Sequence, residues 1–344
     1  MQTQRLDTSS AAIAHAAELL RRGELVAFPT ETVYGLGGNA LDEQAVAAIF
    51  AAKGRPASDP LIVHLADPRE LARVVATIPA LVGQLAAAFW PGPLTLILPR
   101  HPQVPLAVTA GRETVAVRVP SHPIARALLV TADVPVAAPS ANRFGHTSPT
   151  TADHVLADLA GRIAAVIDGG PTPIGIESTV LDCTTTPPTL LRPGGISLEA
   201  IESIIGPIHI RTRPTGDEQT GMVSPGLLER HYAPDHELWL ISGPPALALA
   251  RLRREAEAAL AAGLRIGLLL PDEDLAIVRD LPADTETLGP ASDPAQMAQR
   301  LYAALRALDE RQPDRIFARD LDETGLGRAL RDRLRRAAAR VIEA

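Results

Sequence analysis

Only one cysteine, Cys183, occurs in the 344-residue chain. One thiol cannot close an internal disulfide or make a cysteine-based zinc site. It sits in the apolar, strand-like run STVLDC and is expected to be a buried core thiol. No uncharged apolar run reaches the roughly 18 residues of a membrane span. The opening MQTQRLDTSS has no charged segment followed by an apolar one, so it does not read as a secretion signal. A cytoplasmic protein with no membrane partner is expected. Positive charge is not in excess either: the net charge is −7. Bulk attraction to nucleic acid is excluded on that count, and any RNA contact would need a local basic patch.

Familiar catalytic signatures are also missing. There is no G-x-x-x-x-G-K-[ST] phosphate loop, no G-x-S-x-G nucleophile elbow and no H-E-x-x-H metal spacing. The run GLGG at 35–38 matches a dinucleotide fingerprint only loosely, because Ala40 stands where the third glycine belongs. Hydrolysis through a covalent nucleophile and a protein-held metal are therefore not expected. A phosphate site built without a P-loop is the physical picture that remains.

Lysine is nearly absent. Of the 33 basic residues one, Lys53, is lysine. Arginine presents a planar fork, whereas lysine presents a compact ammonium with three donors. A chain that uses arginine everywhere else and keeps one lysine is expected to need an ammonium at that place.

What is present is an alternation of apolar strands and amphipathic helices. Hydrophobic residues make up 46% and charged residues 21% of the chain, enough to bury real cores. The length suits two domains. Residues 10–22 read as a helix stopped by Gly23, ELVAF as a strand, and Asp42 as the cap of a helix running to Lys53. LIVHL, LTLIL, VAVRV, VPVAA, AAVID, STVLD and TLLR follow as strands, with helices near 123–131 and 152–160. This predicts an α/β domain with a mixed, twisted sheet and flanking helices over residues 1–208. Residues 209–235, rich in Pro, Gly and Thr, read as a linker. From 236 to 344 a second βαβ series predicts a smaller, Rossmann-like parallel domain, whose last helix is expected from about Gly327 to Ile342.

Several stretches can carry chemistry. FPTETVYGLGGNA puts Thr30, Glu31, Thr32 and Tyr34 at a strand's carboxyl end, ahead of what reads as a Gly-rich turn leading to a helix. Lys53 and Arg55 flank a glycine at a helix end, where two cations can face one polyanion or merely complement the helix dipole. His64 alternates with apolar neighbours in its strand and is either a hydrogen-bonded core residue or a site residue. Arg118 interrupts an apolar strand and needs an anionic partner, either a carboxylate of the protein or that of an amino-acid substrate. Ser140 and Asn142, two apart in an extended segment, can face the same side; Ser148 ends that loop. Ser178 opens a strand, and Arg192 closes one before Pro193-Gly194-Gly195.

Together, Lys53-Gly54-Arg55 and Ser140-Ala141-Asn142 resemble the KxR and SxN signature of the YrdC-like enzymes. FPTETVYGLG, PLIVH, WPGPLT, VAVRVP, APSAN, IDGG, ESTV and LLRPG stand in that family's order. The SPG…HYAP segment and the second α/β domain are similar to the family's long, two-domain form. The resemblance implies an enzyme, a nucleotidyltransferase, that makes L-threonylcarbamoyladenylate and pyrophosphate from L-threonine, bicarbonate and ATP. A downstream transferase complex would then modify tRNA, with weak or no direct tRNA binding by this chain. Mg2+ is implied with the ATP. Carried over, Lys53 and Arg55 would clamp the phosphates, and Thr114, Ser140, Asn142, Ser148 and Arg192 would contact the nucleotide. Thr30, His64, Arg118, Ala138 (by its backbone) and Ser178 would enclose threonine, with Arg118 on its carboxylate. His231 and Tyr232 would cover the site as a lid.

Two rivals differ in class. The carbamoyl-adenylate step of hydrogenase maturation uses a related domain, but that protein carries paired zinc fingers, which one cysteine excludes. An RNA-binding module would rest on the arginine-rich last helix (Arg328, Arg331, Arg333, Arg335, Arg336, Arg340). A solvated helix end complementing its dipole is the preferred reading of that helix.

Overall fold

The computed structural model describes residues 2–211, 222 and 231–344 and divides into two compact units. The first comprises Met1–Phe144, Ser148–Pro173 and Glu177–Leu227; the second comprises Gly145–Thr147, Ile174–Ile176 and Leu228–Ala344. Most of the expected linker, 212–221 and 223–230, lies outside the described residues, and so does the lid implied for it, apart from His231 and Tyr232.

The strands of the first unit are Gln4–Leu6 (β1), Val26–Phe28 (β2), Gly35–Asn39 (β3), Ile62–His64 (β4), Leu94–Pro99 (β5) and Thr114–Arg118 (β6). Val136–Ala137 (β7), Ala165–Ile167 (β8), Thr179–Asp182 (β9), Thr189–Arg192 (β10) and His209–Ile210 (β11) complete them. Its helices are Ser10–Arg21 (α1), Glu43–Lys53 (α2), Ala80–Phe89 (α3), Pro123–Ala132 (α4), Ala152–Leu159 (α5) and Leu198–Ile205 (α6). The local signals act as expected. Ser9 caps α1 by accepting from the Ala12 amide. Asp42 caps α2 through the Gln44 and Ala45 amides, and the helix stops at Lys53.

The strands form one mixed sheet in the order β1-β8-β2-β3-β7-β4-β6-β5-β9-β10-β11. Alternation decides what each face carries. Val63, Leu94, Leu96, Leu98, Val115 and Val117 join the main core, which includes Val46 and Ile49 of α2 and Val82 and Leu85 of α3. On the other face, Val26, Phe28 and Val136 are covered by α1 and α4. Farther along that second face stand Ile62 and His64 of β4, Thr95 and Ile97 of β5, and Thr114, Ala116 and Arg118 of β6. Cross-strand register makes them neighbours: Ile62 with Ala116, His64 with Arg118, Thr95 with Arg118 and Ile97 with Ala116. Cys183 is a buried core thiol as expected, its pKa pushed up to about 12 by burial.

One local reading is corrected. The glycine run 35–38 is not a turn into a helix; it lies within β3, antiparallel to β2. A Cβ on Gly37 would lie 2.9 Å from both Phe28 and Val136, so the glycine answers to close packing rather than to chain reversal.

The second unit is the expected parallel α/β layer structure. Glu237–Ser242 (β12), Ile266–Leu270 (β13), Asp284–Thr287 (β14), Arg315–Arg319 (β15) and Arg340–Glu343 (β16) pair in the order β14-β13-β15-β12-β16. All of the pairings are parallel. Its helices are Pro245–Ala261 (α7), Leu275–Val278 (α8), Pro294–Glu310 (α9) and Gly327–Ala337 (α10). Among the described residues no helix is long and apolar enough to cross a membrane.

Two expectations about the chain's end fail. The last helix stops at Ala337, and Arg340–Glu343 is a strand on β12. The open edge of β12 offers backbone partners to a segment containing Val341 and Ile342, and both residues favour extended chain. The arginines of α10 are also not a solvated set. Arg333 is 1% exposed, with its guanidinium over the Tyr232 ring at 4.9 Å. Arg331 Nε and Arg335 Nε donate to Asp320 Oδ2 at 3.0 and 2.9 Å, and Ser242 Oγ donates to the same oxygen at 3.0 Å. Charge that reads as surface in the sequence is internal bonding in the fold.

Replacing Asp320 would leave Ser242 and two guanidiniums without their shared acceptor. Asp320→Ala is expected to destabilise the second unit by roughly 2–3 kcal/mol, read as a lower urea midpoint for that unit's transition.

Candidate active site

The carboxyl end of α2 meets the loop that follows β7. Lys53, 3% exposed, donates from Nζ to the backbone carbonyls of Ser140 and Asn142, both at 2.5 Å. The amide of Phe144 returns a hydrogen bond to the Lys53 carbonyl at 2.9 Å. The structure thus joins the KxR and SxN stretches directly. The ammonium, however, holds the loop's backbone, not the Ser140 and Asn142 side chains. Burial pushes the Lys53 pKa well below its ordinary value, and the neighbouring Arg55 cation pushes it the same way. No ion pair to Lys53 occurs among the described residues. Arg55 braces its own loop: Nε donates to the Asp59 carbonyl at 3.0 Å and Nη2 to the Pro60 carbonyl at 2.7 Å, with the Asp59 carboxylate 3.0 Å from Nη2.

A second cluster lies at the other end of the same sheet face. Arg118 closes β6 and is 4% exposed. Its Nη2 donates to Glu31 Oε1 at 2.6 Å, its Nη1 to Thr32 Oγ1 at 2.9 Å and its Nε to the Gly92 carbonyl at 3.3 Å. Of the two kinds of partner left open by the sequence, the one in place is a protein carboxylate. Thr30 Oγ1 lies 2.8 Å from Thr32 Oγ1 and donates to the Val33 carbonyl at 2.6 Å. His64, in register with Arg118, has Nδ1 3.2 Å from the Ile62 carbonyl and its ring edge-on to Phe28. Burial first, then the Arg118 cation, push its pKa down to about 3, so the ring is neutral at neutral pH. The Ala138 amide donates to the Ile62 carbonyl at 2.9 Å.

The third cluster comes from the segment that opens β9. Ser178 Oγ is 2.7 Å from Thr95 Oγ1, and Arg192 Nη2 donates to the Ser178 carbonyl at 2.9 Å and to Ser178 Oγ at 3.2 Å. Ser148 Oγ donates to Glu177 Oε1 at 2.5 Å. Gly194 makes this crossing feasible: a Cβ there would lie 2.4 Å from the backbone atoms of Glu177, Ser178 and Thr179.

Thr114 and Arg118 stand four residues apart on one strand, hence on one face and roughly 13 Å apart by strand rise. Pairing of β4 with both β6 and β7 sets His64 and Val136 at the Arg118 end, while Pro60 and Ser140 extend toward the Thr114 end. The sheet therefore carries an elongated polar site. One end is the Arg118–His64–Thr30 group with Ser178, and the other is Lys53, Arg55, Ser140 and Thr114. His231 and Tyr232 belong to the second unit. There Tyr232, at a φ of 63°, stacks near Tyr302, and the His231 amide donates to the Arg336 carbonyl. No group of three or more His, Cys, Asp or Glu that could hold a metal ion occurs among the described residues.

Sequence reasoning assigned no role to Glu31, Thr32, Thr95, Glu177 or Asp59, all of them buried here. A signal was available for one of them: a buried arginine demands a carboxylate, and Glu31 lies in the same stretch as Thr30. Thr95 and Glu177 carried no comparable signal, because their partners come from distant strands.

The His64 shift has a signed consequence. Its folded pKa, about 3, lies below the ordinary 6.5, so the unfolded chain takes up the proton first. Stability is therefore lost as pH falls from 6.5 toward 3. His64→Asn is expected to lose less stability than the parent over that window, measured by urea denaturation at a series of pH values. Gly194→Ala is expected to cost on the order of 2–4 kcal/mol, because backbone rather than a movable side chain blocks the added methyl; a melting temperature checks it.

Two family models match the chain. One, described as telomere recombination, matches residues 18–194; the other, described as threonylcarbamoyl-AMP synthase, C-terminal domain, matches residues 196–339. A threonylcarbamoyl-AMP synthase of Bacillus subtilis is 47% identical over 343 residues, covering 99% of this chain and 97% of the relative. One from Pyrococcus abyssi is 46% identical over 330 residues, covering 95% and 94%. The crystal structure of P. abyssi Sua5 complexed with L-threonine superposes with a TM-score of 0.92 at 42% identity, covering 100% of both chains.

Proposed function

The chain belongs to the threonylcarbamoyl-AMP synthase family in its long, two-domain form, and on that premise we propose how its first unit makes L-threonylcarbamoyladenylate and pyrophosphate from L-threonine, bicarbonate and ATP. The observation that carries the reading is the elongated site: an arginine-centred pocket at one end, an under-neutralised cation at the other, and a sheet face between them. Threonine lies at the Arg118 end, its carboxylate on the guanidinium, enclosed by Thr30, His64, Ser178 and the backbone of Ala138. The L-threonine bound to the P. abyssi relative supports this substrate.

ATP takes the other end, entering with Mg2+ as part of the substrate and held through phosphate oxygens and water. Lys53 uses two N–H donors on carbonyls, which leaves a third for a phosphate oxygen. Arg55, Thr114, Ser140 and Asn142 surround the nucleotide there, and Ser148 and Arg192, bonded to Glu177 and Ser178, reach it from the third cluster, between the two substrates. The neutral threonine amine forms an N–C bond to the carbon of bicarbonate, and its proton leaves with bicarbonate's hydroxide as water, giving a carbamate. A carbamate oxygen then attacks the α-phosphorus, and the bond to the bridging oxygen breaks as pyrophosphate leaves. Phosphoryl-group chemistry of this kind depends on alignment and charge neutralisation more than on an acid–base pair. A neutral His64 and a lone ammonium suit that demand. The product serves a transferase complex that acts on tRNA.

Incubation with ATP, bicarbonate and threonine, followed by mass spectrometry, should give threonylcarbamoyladenylate. Equal ATP turnover with serine, or with no amino acid, would refute the substrate assignment. Lys53→Ala is expected to lower pyrophosphate release by about 100-fold or more while the fold survives. Lys53→Arg should fare little better, because a planar fork cannot meet two carbonyls and a phosphate as a point charge does. Parent-like release by either variant removes Lys53 from the phosphate site.

A further inference from the structure

We propose that Glu31 is a positioning residue of the threonine subsite: its buried carboxylate fixes the plane of the Arg118 guanidinium, and that orientation sets the enzyme's affinity for threonine. The role rests on the placement of threonine's carboxylate on Arg118 made above.

A guanidinium has five N–H donors. Arg118 commits three of them, one from each nitrogen: Nε to Gly92, Nη1 to Thr32 and Nη2 to Glu31. One N–H remains on each terminal nitrogen, the number a bidentate carboxylate uses. The three acceptors differ in how firmly they hold. The Gly92 contact is long at 3.3 Å, and the Thr32 hydroxyl is itself shared with Thr30. The Glu31 contact, at 2.6 Å with both side chains about 5% exposed, is the short, charge-assisted one. Without it a planar group on a long, flexible stem is steered by two weak acceptors.

Glu31 is a poor candidate for the base that deprotonates the threonine amine. Burial would raise its pKa, but the Arg118 charge and hydrogen bond outweigh burial and hold the carboxyl below the usual carboxylate range. A carboxylate so committed has little affinity for a proton.

Glu31→Ala would strip a buried cation of its partner and can unfold the protein, so two milder variants make the test. Glu31→Gln keeps an acceptor oxygen at the same reach and drops the charge. Glu31→Asp keeps the charge and withdraws the acceptor by about one carbon–carbon bond. Each is assayed by pyrophosphate release under varied threonine and varied ATP, with melting temperature as the control for folding. The Asp variant is expected to raise the KM for threonine by about tenfold, with kcat and the KM for ATP within about twofold of the parent. The Gln variant should stay within about threefold of the parent in threonine KM.

A Gln variant that loses kcat at unchanged KM would make Glu31 a base and overturn the proposal. An Asp variant indistinguishable from the parent, or one that raises both KM values equally, would overturn it as well. If the parent enzyme itself shows no dependence on threonine, the substrate reading fails instead, and that outcome is read from the parent alone.

Discussion

A buried ammonium with no ion-pair partner among the described residues organises the first unit. Moving a charge from water into protein costs several kcal/mol even after relaxation. Lys53 recovers part of that cost through the carbonyls of Ser140 and Asn142. Those two hydrogen bonds tie the end of α2 to the loop after β7, and so bring together chain segments 87 and 89 residues apart. The remaining deficit appears as a pKa held well below the ordinary lysine value. An anion arriving beside Lys53 stabilises what the protein alone leaves unsatisfied. That is the electrostatic condition the proposed triphosphate site needs.

The opposite end of the site is balanced differently. Arg118 has its counter-charge in Glu31, and both lie beneath the surface. Pairing turns a costly isolated cation into a dipole of defined direction, fit to recognise one carboxylate without gripping it. Under the proposed assignment, the uncompensated Lys53 would face the several charges of ATP, and the compensated Arg118 the single carboxylate of threonine. The sheet supplies the spacing between the two ends. Because β4 and β6 are parallel neighbours in fixed register, His64 and Arg118 cannot drift relative to Thr114 without breaking the ladder.

In the second unit, the arginines of α10 bond within the fold. Asp320 collects Ser242, Arg331 and Arg335, and Arg333 lies over Tyr232. A shared acceptor at the carboxyl end of β15 links α10 to β12 and closes that side of the parallel sheet. Much of the arginine in that helix thus answers to acceptors within the unit.

The sequence by itself determined the element order, because caps such as Asp42, stops such as Gly23 and apolar runs such as LTLIL act within a few residues. It also determined the family, because the motifs retain their order along the chain. Lys53 stood out for a reason that needs no fold: it is the one lysine among 33 basic residues. Only the tertiary structure decided that GLGG is a strand, that Arg340–Glu343 leaves its helix for the edge of β12, and that the arginines of α10 turn inward. It alone decided, too, that Glu31 belongs to Arg118 and Thr95 to Ser178. Backbone pairing and buried charge are settled by partners tens to hundreds of residues away, and no local pattern encodes where a partner's strand will lie.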